Sequence, residues 1–220
     1  MTPMHKLIVR KRIGDIETPV SAMLKLGADE PGSVMFESIH GGERLGRYSF
    51  IGLKPLQWMR VLNGVGEIAS DETFSDATPV EGDPVAALRQ FASIARADAA
   101  GIDLPPMASG VFGYVGYDFI QHVEPVDITA NDDLDVPEAL LVLPGAVIIF
   151  DHLYQEILLV GRHAPGEEAR ANALLDWIET RLESLAPIPP RDQASQSVEF
   201  TSNTTKDQYF GMVDRAIDYI

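Results

Sequence analysis

Apolar and polar residues alternate in short runs along most of the chain, and a helical period breaks through at four places. Residues 7–12 read as a first strand. Thr18-Pro19 supplies an N-cap hydroxyl and a proline at the first helical position, and Gly27 closes that helix. Val20, Met23 and Leu24 give it an apolar face. Residues 33–38 and 47–53 follow as two strands joined by a connection with Gly41, Gly42 and Gly46. In the second, Tyr48, Phe50 and Gly52 share one side and Ser49, Ile51 and Leu53 the other. Residues 56–61 and 65–69 are strand-like and meet at the turn dipeptide Asn63-Gly64. Residues 70–82 form an acidic loop.

Asp83-Pro84 repeats the cap-plus-proline signal. Val85, Leu88, Phe91, Ala92 and Ala95 then recur at helical spacing to about Ala99. Gly110, Gly113 and Gly116 alternate with Phe112, Tyr114 and Tyr117, a pattern of close backbone approach with large side chains filling space. Residues 119–137 read as a loop or short helix. Residues 139–151 are strand-like but interrupted at Pro144-Gly145, and their all-apolar second half, 146–150, reads as buried on both faces. A strand at 156–161 precedes a helix at 167–185, with Ala171, Leu174, Ile178, Leu182 and Leu185 as its stripe. A Pro- and Gln-bearing connector leads to a last helical pattern from Tyr209 to Ile220, cut off in mid-stripe. Many short strands, few in βαβ alternation, give an α+β class: antiparallel β-sheets packed as a sandwich with outer helices.

Charge changes the picture of partners. With 33 acidic against 17 basic residues the net charge is −16, a surface that repels a phosphate backbone, so nucleic acid is disfavoured. No apolar run reaches the roughly 20 residues that span a bilayer, and the N-terminus lacks the apolar core of a signal peptide. Without cysteine there is neither a disulfide nor a thiolate metal site. The expected setting is the cytoplasm, with no membrane partner.

Candidate chemistry is sparse. His5, His40, His122, His152 and His163 show no paired helical spacing for zinc. The acidic run 131–135 lacks the glycine and terminal glutamate of a calcium loop. Residues 41–47 lack the lysine-hydroxyl ending of a P-loop, and the glycines at 110, 113 and 116 lack dinucleotide spacing. No serine-histidine-acid set is visible. Glu37 and Ser38, at the exit of an apolar strand, stand out as a polar pair; Arg44, Arg47 or a ligand amine would partner the carboxylate.

Phe36-Glu37-Ser38, Gly-Arg-Tyr-Ser-Phe-Ile-Gly at 46–52, Phe-Gly-Tyr-Val-Gly-Tyr-Asp at 112–118 and Ile149-Phe150-Asp151-His152 together resemble the N-terminal region of anthranilate synthase component I. Ser202-Asn203 and the helix after it resemble the entry to that family's chorismate-binding domain. The resemblance implies three parts: an N-terminal regulatory domain at 1–185, a linker at 186–203 and the start of the catalytic domain at 204–220. It implies a longer protein that converts chorismate and ammonia to anthranilate and pyruvate in tryptophan biosynthesis. A glutamine amidotransferase subunit would supply the ammonia, and Mg2+ and the catalytic residues would lie outside this chain, leaving the chain inactive by itself.

The family's Leu-Leu-Glu-Ser segment, which helps to form a site for feedback inhibition by tryptophan, matches Met35, Phe36, Glu37 and Ser38 here. A free amino acid offers an ammonium to Glu37 or Ser38 and a carboxylate to Arg47. Arg47 and its neighbour Tyr48 enter on this chemistry rather than on a motif match. The plainer reading of Glu37 is a salt bridge to Arg44 or Arg47. The alternatives are the related 4-amino-4-deoxychorismate synthase component and a standalone amino-acid-binding module. An apolar face left bare without the catalytic half would favour a homo-oligomer.

Overall fold

Strand β1, His5–Ile13, lies inside a nine-stranded sheet rather than at its start. The computed structural model describes residues 5–37, 46–99, 101–128, 134–187 and 200–220. They fall into two compact units, residues 1–187 and 188–220.

In the first unit, helix α1, Pro19–Leu26, begins at a capping box: the Ser21 amide donates to Thr18 Oγ1 at 3.1 Å and the Thr18 amide to Ser21 Oγ at 2.9 Å. Its buried positions are Pro19, Ala22 and Leu26, with Met23 packed beside them, while Val20 is exposed. The apolar stripe is therefore turned from the expected Val20–Met23–Leu24 face, because the small Ala22 lets the helix sit close on the sheet.

Strand β2, Val34–Phe36, pairs antiparallel with β3, Tyr48–Leu62, placing Phe36 opposite Phe50. The two strands expected at 47–53 and 56–61 are one. Their ladder against β8, Ala139–Asp151, slips between Pro55 and Gln57, which lets Pro55 and Pro144 sit opposite each other without breaking either strand. The predicted interruption at Pro144-Gly145 is this irregularity. Strand β4, Val65–Ala69, folds back across Asn63 and Gly64, whose φ values of 51° and 73° are those of a type I′ turn. The two-residue β5, Thr78–Pro79, edges β4.

Asp83 caps helix α2, Pro84–Ile94, by accepting from the Ala86 amide at 2.7 Å. The helix ends five residues short of Ala99 because Ala97–Asp98 (β6) pairs in parallel with His5 and Lys6. After a 3₁₀ turn at Pro106–Ser109, β7, Phe112–Val115, pairs with β8. Gly113 has φ 150°, and a Cβ there would lie 2.0 Å from the Leu140 carbonyl oxygen, so the expected close approach is real at this glycine. Phe112 fills space as expected, but Tyr117 is 87% exposed, since a second 3₁₀ turn at Tyr117–His122 carries Phe119 inward instead.

Strand β9, Glu156–His163, joins β8 to β1. Helix α3, Glu168–Leu182, buries Ala171, Leu175, Ile178 and Leu182, and Arg10 of β1 holds its outer side through Asp176 at 2.7 Å and Glu179 at 2.6 Å. It stops before Leu185, which is 96% exposed because no helical turn carries it back to the sheet.

The sheet order is β5-β4-β3-β8-β9-β1-β6, with β2 on β3 and β7 on β8. The antiparallel α+β expectation holds, with one parallel pair, β1–β6. The strands form a single hydrogen-bonded sheet running through β3 and β8. Residues 146–150 are buried throughout, as their apolar run predicts. One core lies between α1, α3 and the sheet, around Ile51, Leu53, Ile148, Leu159 and Leu175. Another, on the opposite face, gathers Leu7, Trp58, Phe112, Ile149 and Val160, and a third packs α2 through Phe91 onto Met59, Val61 and Leu143. Each such fully buried side chain contributes about 1.5–3 kcal/mol.

The buried Arg162 of β9 ties this arrangement together by donating to the carbonyls of Ala95 and Ser109, both at 2.7 Å, where α2 and the first 3₁₀ turn end. Burial pushes its guanidinium down to about 10.

In the second unit, helix α4, Lys206–Tyr219, starts at a capping box of Thr205 and Gln208, and Tyr209, Met212, Val213 and Ile217 are exposed. The connector at 188–199 lies outside the described residues.

Candidate functional site

The ends of β2, β3 and β8 meet where the polar pair of the sequence points. Asp151, the last residue of β8, lies opposite Tyr48, the first of β3. Its carboxylate accepts from Arg47 Nη2 at 2.7 Å and from Arg47 Nε at 3.1 Å (Oδ1) and 3.2 Å (Oδ2). The same Oδ1 accepts from the Leu153 and Tyr154 amides at 3.0 and 3.2 Å, closing the β8–β9 turn on the side chain of its first residue. Burial works to raise the Asp151 carboxyl. The hydrogen bonds from Arg47, Tyr154 and Leu153 together outweigh it and hold the group below the usual carboxylate range. Hydrogen bonding to Asp151 in turn raises Arg47.

The Arg47 guanidinium carbon also lies 4.7 Å from the centre of the Tyr48 ring and 4.9 Å from that of Tyr154. Burial, and next the Asp151 charge, push the Tyr48 phenol up. Arg47 is thus engaged with Asp151, whereas the sequence reading reserved it for a ligand carboxylate or for Glu37. Arg44, the other proposed partner, lies outside the described residues, as does Ser38.

Strand alternation divides the remaining candidates between the two faces of the sheet. Phe36 stacks 5.7 Å from Phe112, and Tyr48 packs against the same core, on the face away from α1. Glu37 opens instead on the α1 side, into a cleft of about 330 Å³ with Asp15, Glu17, Asp151, His152 and Glu156. Among the described residues, five carboxylates line this cleft and no lysine or arginine does. Glu17 and Glu156 are partly neutralised from outside it by Lys25 at 2.6 Å and Lys11 at 3.0 Å. Such a site favours an ammonium or another small cation and disfavours a carboxylate at the same spot. The structure thus places Glu37 in an acidic cleft, with Phe36, Arg47 and Tyr48 nearby at the strand ends but not lining it.

Ser49 and His152, which the sequence reading did not connect, share a hydrogen bond of 2.8 Å. Ser49 is fully buried and no carboxylate bonds His152 among the described residues, so the pair ties β3 to the turn and presents no nucleophile. Asp151 and His152 stood in the sequence as a motif without a role. The signal that could have found them is a charged pair ending an all-apolar strand.

Residues 47–220 match the family model described as chorismate binding enzyme, and the chain belongs to that family. Within it, the chain is 35% identical over 229 residues to anthranilate synthase component 1 of Cereibacter sphaeroides, an alignment covering 98% of this chain and 45% of that protein. It is 35% identical to the protein of that name from Thermus thermophilus, over 94% of this chain and 43% of the relative. The chain therefore spans less than half the length of these relatives. A crystal structure of anthranilate synthase component I from Streptococcus pneumoniae superposes with a TM-score of 0.60 at 22% identity, over 95% of this chain and 45% of that one, and supports the fold. The resemblance read from the four sequence motifs is borne out. Among the described residues no helix is long and apolar enough to cross a membrane.

Proposed function

We propose that this chain is part of an anthranilate synthase component I, and that the longer protein converts chorismate and ammonia to anthranilate and pyruvate. The observation that carries the reading is the run of relatives bearing that name, aligned along nearly all of the chain. The partner of such a component is a glutamine amidotransferase subunit, which delivers ammonia. The residues here serve regulation: tryptophan binds at the ends of β2 and β3 and lowers activity. Its ammonium enters the acidic cleft at Glu37, a group that attracts it by charge and by accepting its hydrogen bonds. Its carboxylate lies toward the Arg47 end of β3, where Asp151 fixes the guanidinium.

Among the described residues no group of three or more histidines and carboxylates is arranged to hold a metal ion. The resemblance to anthranilate synthase component I is what assigns the Mg2+ of the proposed reaction to residues outside this chain, and no step is derived through it. The test is to incubate the full-length protein with chorismate, ammonia and Mg2+ and to identify the product. Anthranilate supports the assignment. Formation of 4-aminobenzoate moves the chain to the related aminodeoxychorismate branch, and no turnover of chorismate refutes both.

A further inference from the structure

A second cleft opens on the same face of the sheet as α1 and α3, away from Glu37, where the β3–β8 ladder slips. The irregularity at Pro55 and Gly145 leaves a space of about 370 Å³ beneath α3, lined by Lys54, Leu56, Leu174, Trp177, Arg181 and Glu30, among others. In a chain with nearly twice as many acidic as basic residues, this cleft has the opposite balance. Lys54 and Arg181 approach the half-buried Trp177 ring, each with its cationic centre 5.4 Å from the ring centre. Arg181 forms no ion pair among the described residues. Lys54 sits at φ 49°, a left-handed conformation that a lysine adopts only at a cost, and such costs collect at ligand clamps.

We propose that this cleft binds a small organic carboxylate. Lys54 and Arg181 hold the anionic group, and Trp177, Leu56 and Leu174 take the apolar body. Glu30 supplies the second observation. Its carboxylate reaches in from the loop after α1 and pairs with Lys54 at 2.6 Å, occupying the place a ligand carboxylate takes. Both partners are partly exposed, so exchanging this internal carboxylate for an external one costs little. Binding therefore displaces Glu30 from Lys54. The site is separate from the Glu37 cleft and does not depend on the function proposed above.

Trp177 reports on its own cleft, since the other tryptophan, Trp58, is only 7% exposed. Indole fluorescence of the 220-residue chain is titrated with benzoate and with its uncharged analogue benzamide. Benzoate gives a saturable change and benzamide none. Lys54→Met and Arg181→Gln each weaken benzoate binding about tenfold, the size of one charge-assisted contact. Glu30→Gln removes the internal competitor and tightens binding severalfold. Should Lys54→Met fail to fold, Arg181→Gln carries the same test from an exposed helical position. A linear, unsaturable response overturns the proposal. So does equal binding of benzamide, or a Glu30→Gln variant that binds no better than the parent.

Discussion

The long β3–β8 ladder is built differently at its end and at its middle. At the end, Tyr48 to Asp151, the register is regular and Asp151 spends its carboxylate inside the chain, on Arg47 and on the two amides of the turn. In the middle, at Pro55 and Pro144, the register slips and a lysine stands in a left-handed conformation, with its charge answered among the described residues by a partly exposed glutamate and the Trp177 ring. The first region resembles a joint whose carboxylate is already shared among Arg47, Leu153 and Tyr154. The second has cations with bonding capacity to spare. A ligand ammonium at the joint must therefore find its partner at the margin, in Glu37, whereas a ligand carboxylate at the slip can compete directly with Glu30 for Lys54.

The contrast can be broken experimentally. The largest effect is expected at the slip itself. A Cβ on Gly145 would lie 2.6 Å from the Lys54 carbonyl oxygen, a backbone atom that cannot swing aside. Gly145→Val should cost about 3 kcal/mol in a denaturant titration. A loss well under 1 kcal/mol would mean that the two strands are free to separate there. At the joint, Asp151→Ala strands the Leu153 and Tyr154 amides and should cost about 2 kcal/mol by the same measurement.

A smaller effect of opposite sign is expected at Lys54. Asn tolerates the left-handed region, so Lys54→Asn should stabilise by up to about 1 kcal/mol, although it removes the Glu30 pair. Destabilisation would show that the ion pair outweighs the backbone strain.

The smallest effect is a pH dependence. The folded Asp151 carboxyl lies below its ordinary value of 3.8, so its contribution is complete above that value and is lost as the pH falls through the lower folded value. The stability gap between the parent and Asp151→Asn should therefore narrow as the pH drops below 3.8, in thermal melts between pH 6 and pH 2. A gap that stays constant over that range would show that Asp151 is not held ionised by its partners.

Much of this fold is written in local signals. Thr18-Pro19 and Asp83-Pro84 start helices, Asn63-Gly64 turns a hairpin, and the apolar run 146–150 is buried on both faces. Prolines misled where tertiary pairing overrode them. Pro55 and Pro144 face each other across a slipped register, so two apparent breaks became two continuous strands. Helix ends were overrun at Leu185 and Ala99, because what stops a helix at Ala95 is a pairing with a strand some 90 residues away. For the candidate site, the sequence identified Glu37 as a group needing a partner. It could not show that Arg47 belongs to Asp151, since that contact links positions 104 residues apart. Nor does alternation alone show that the acidic cleft opens on one face of the sheet while Phe36 and Tyr48 pack on the other.

The acidic cleft at Glu37 is proposed to receive the ammonium of an inhibiting amino acid. The most direct measurement is the tryptophan inhibition constant of the full-length enzyme carrying Glu37→Gln, with kcat measured alongside. Losing one hydrogen bond to a charged group should raise that constant about tenfold to a hundredfold and leave kcat unchanged. An inhibition constant equal to that of the parent would contradict the account.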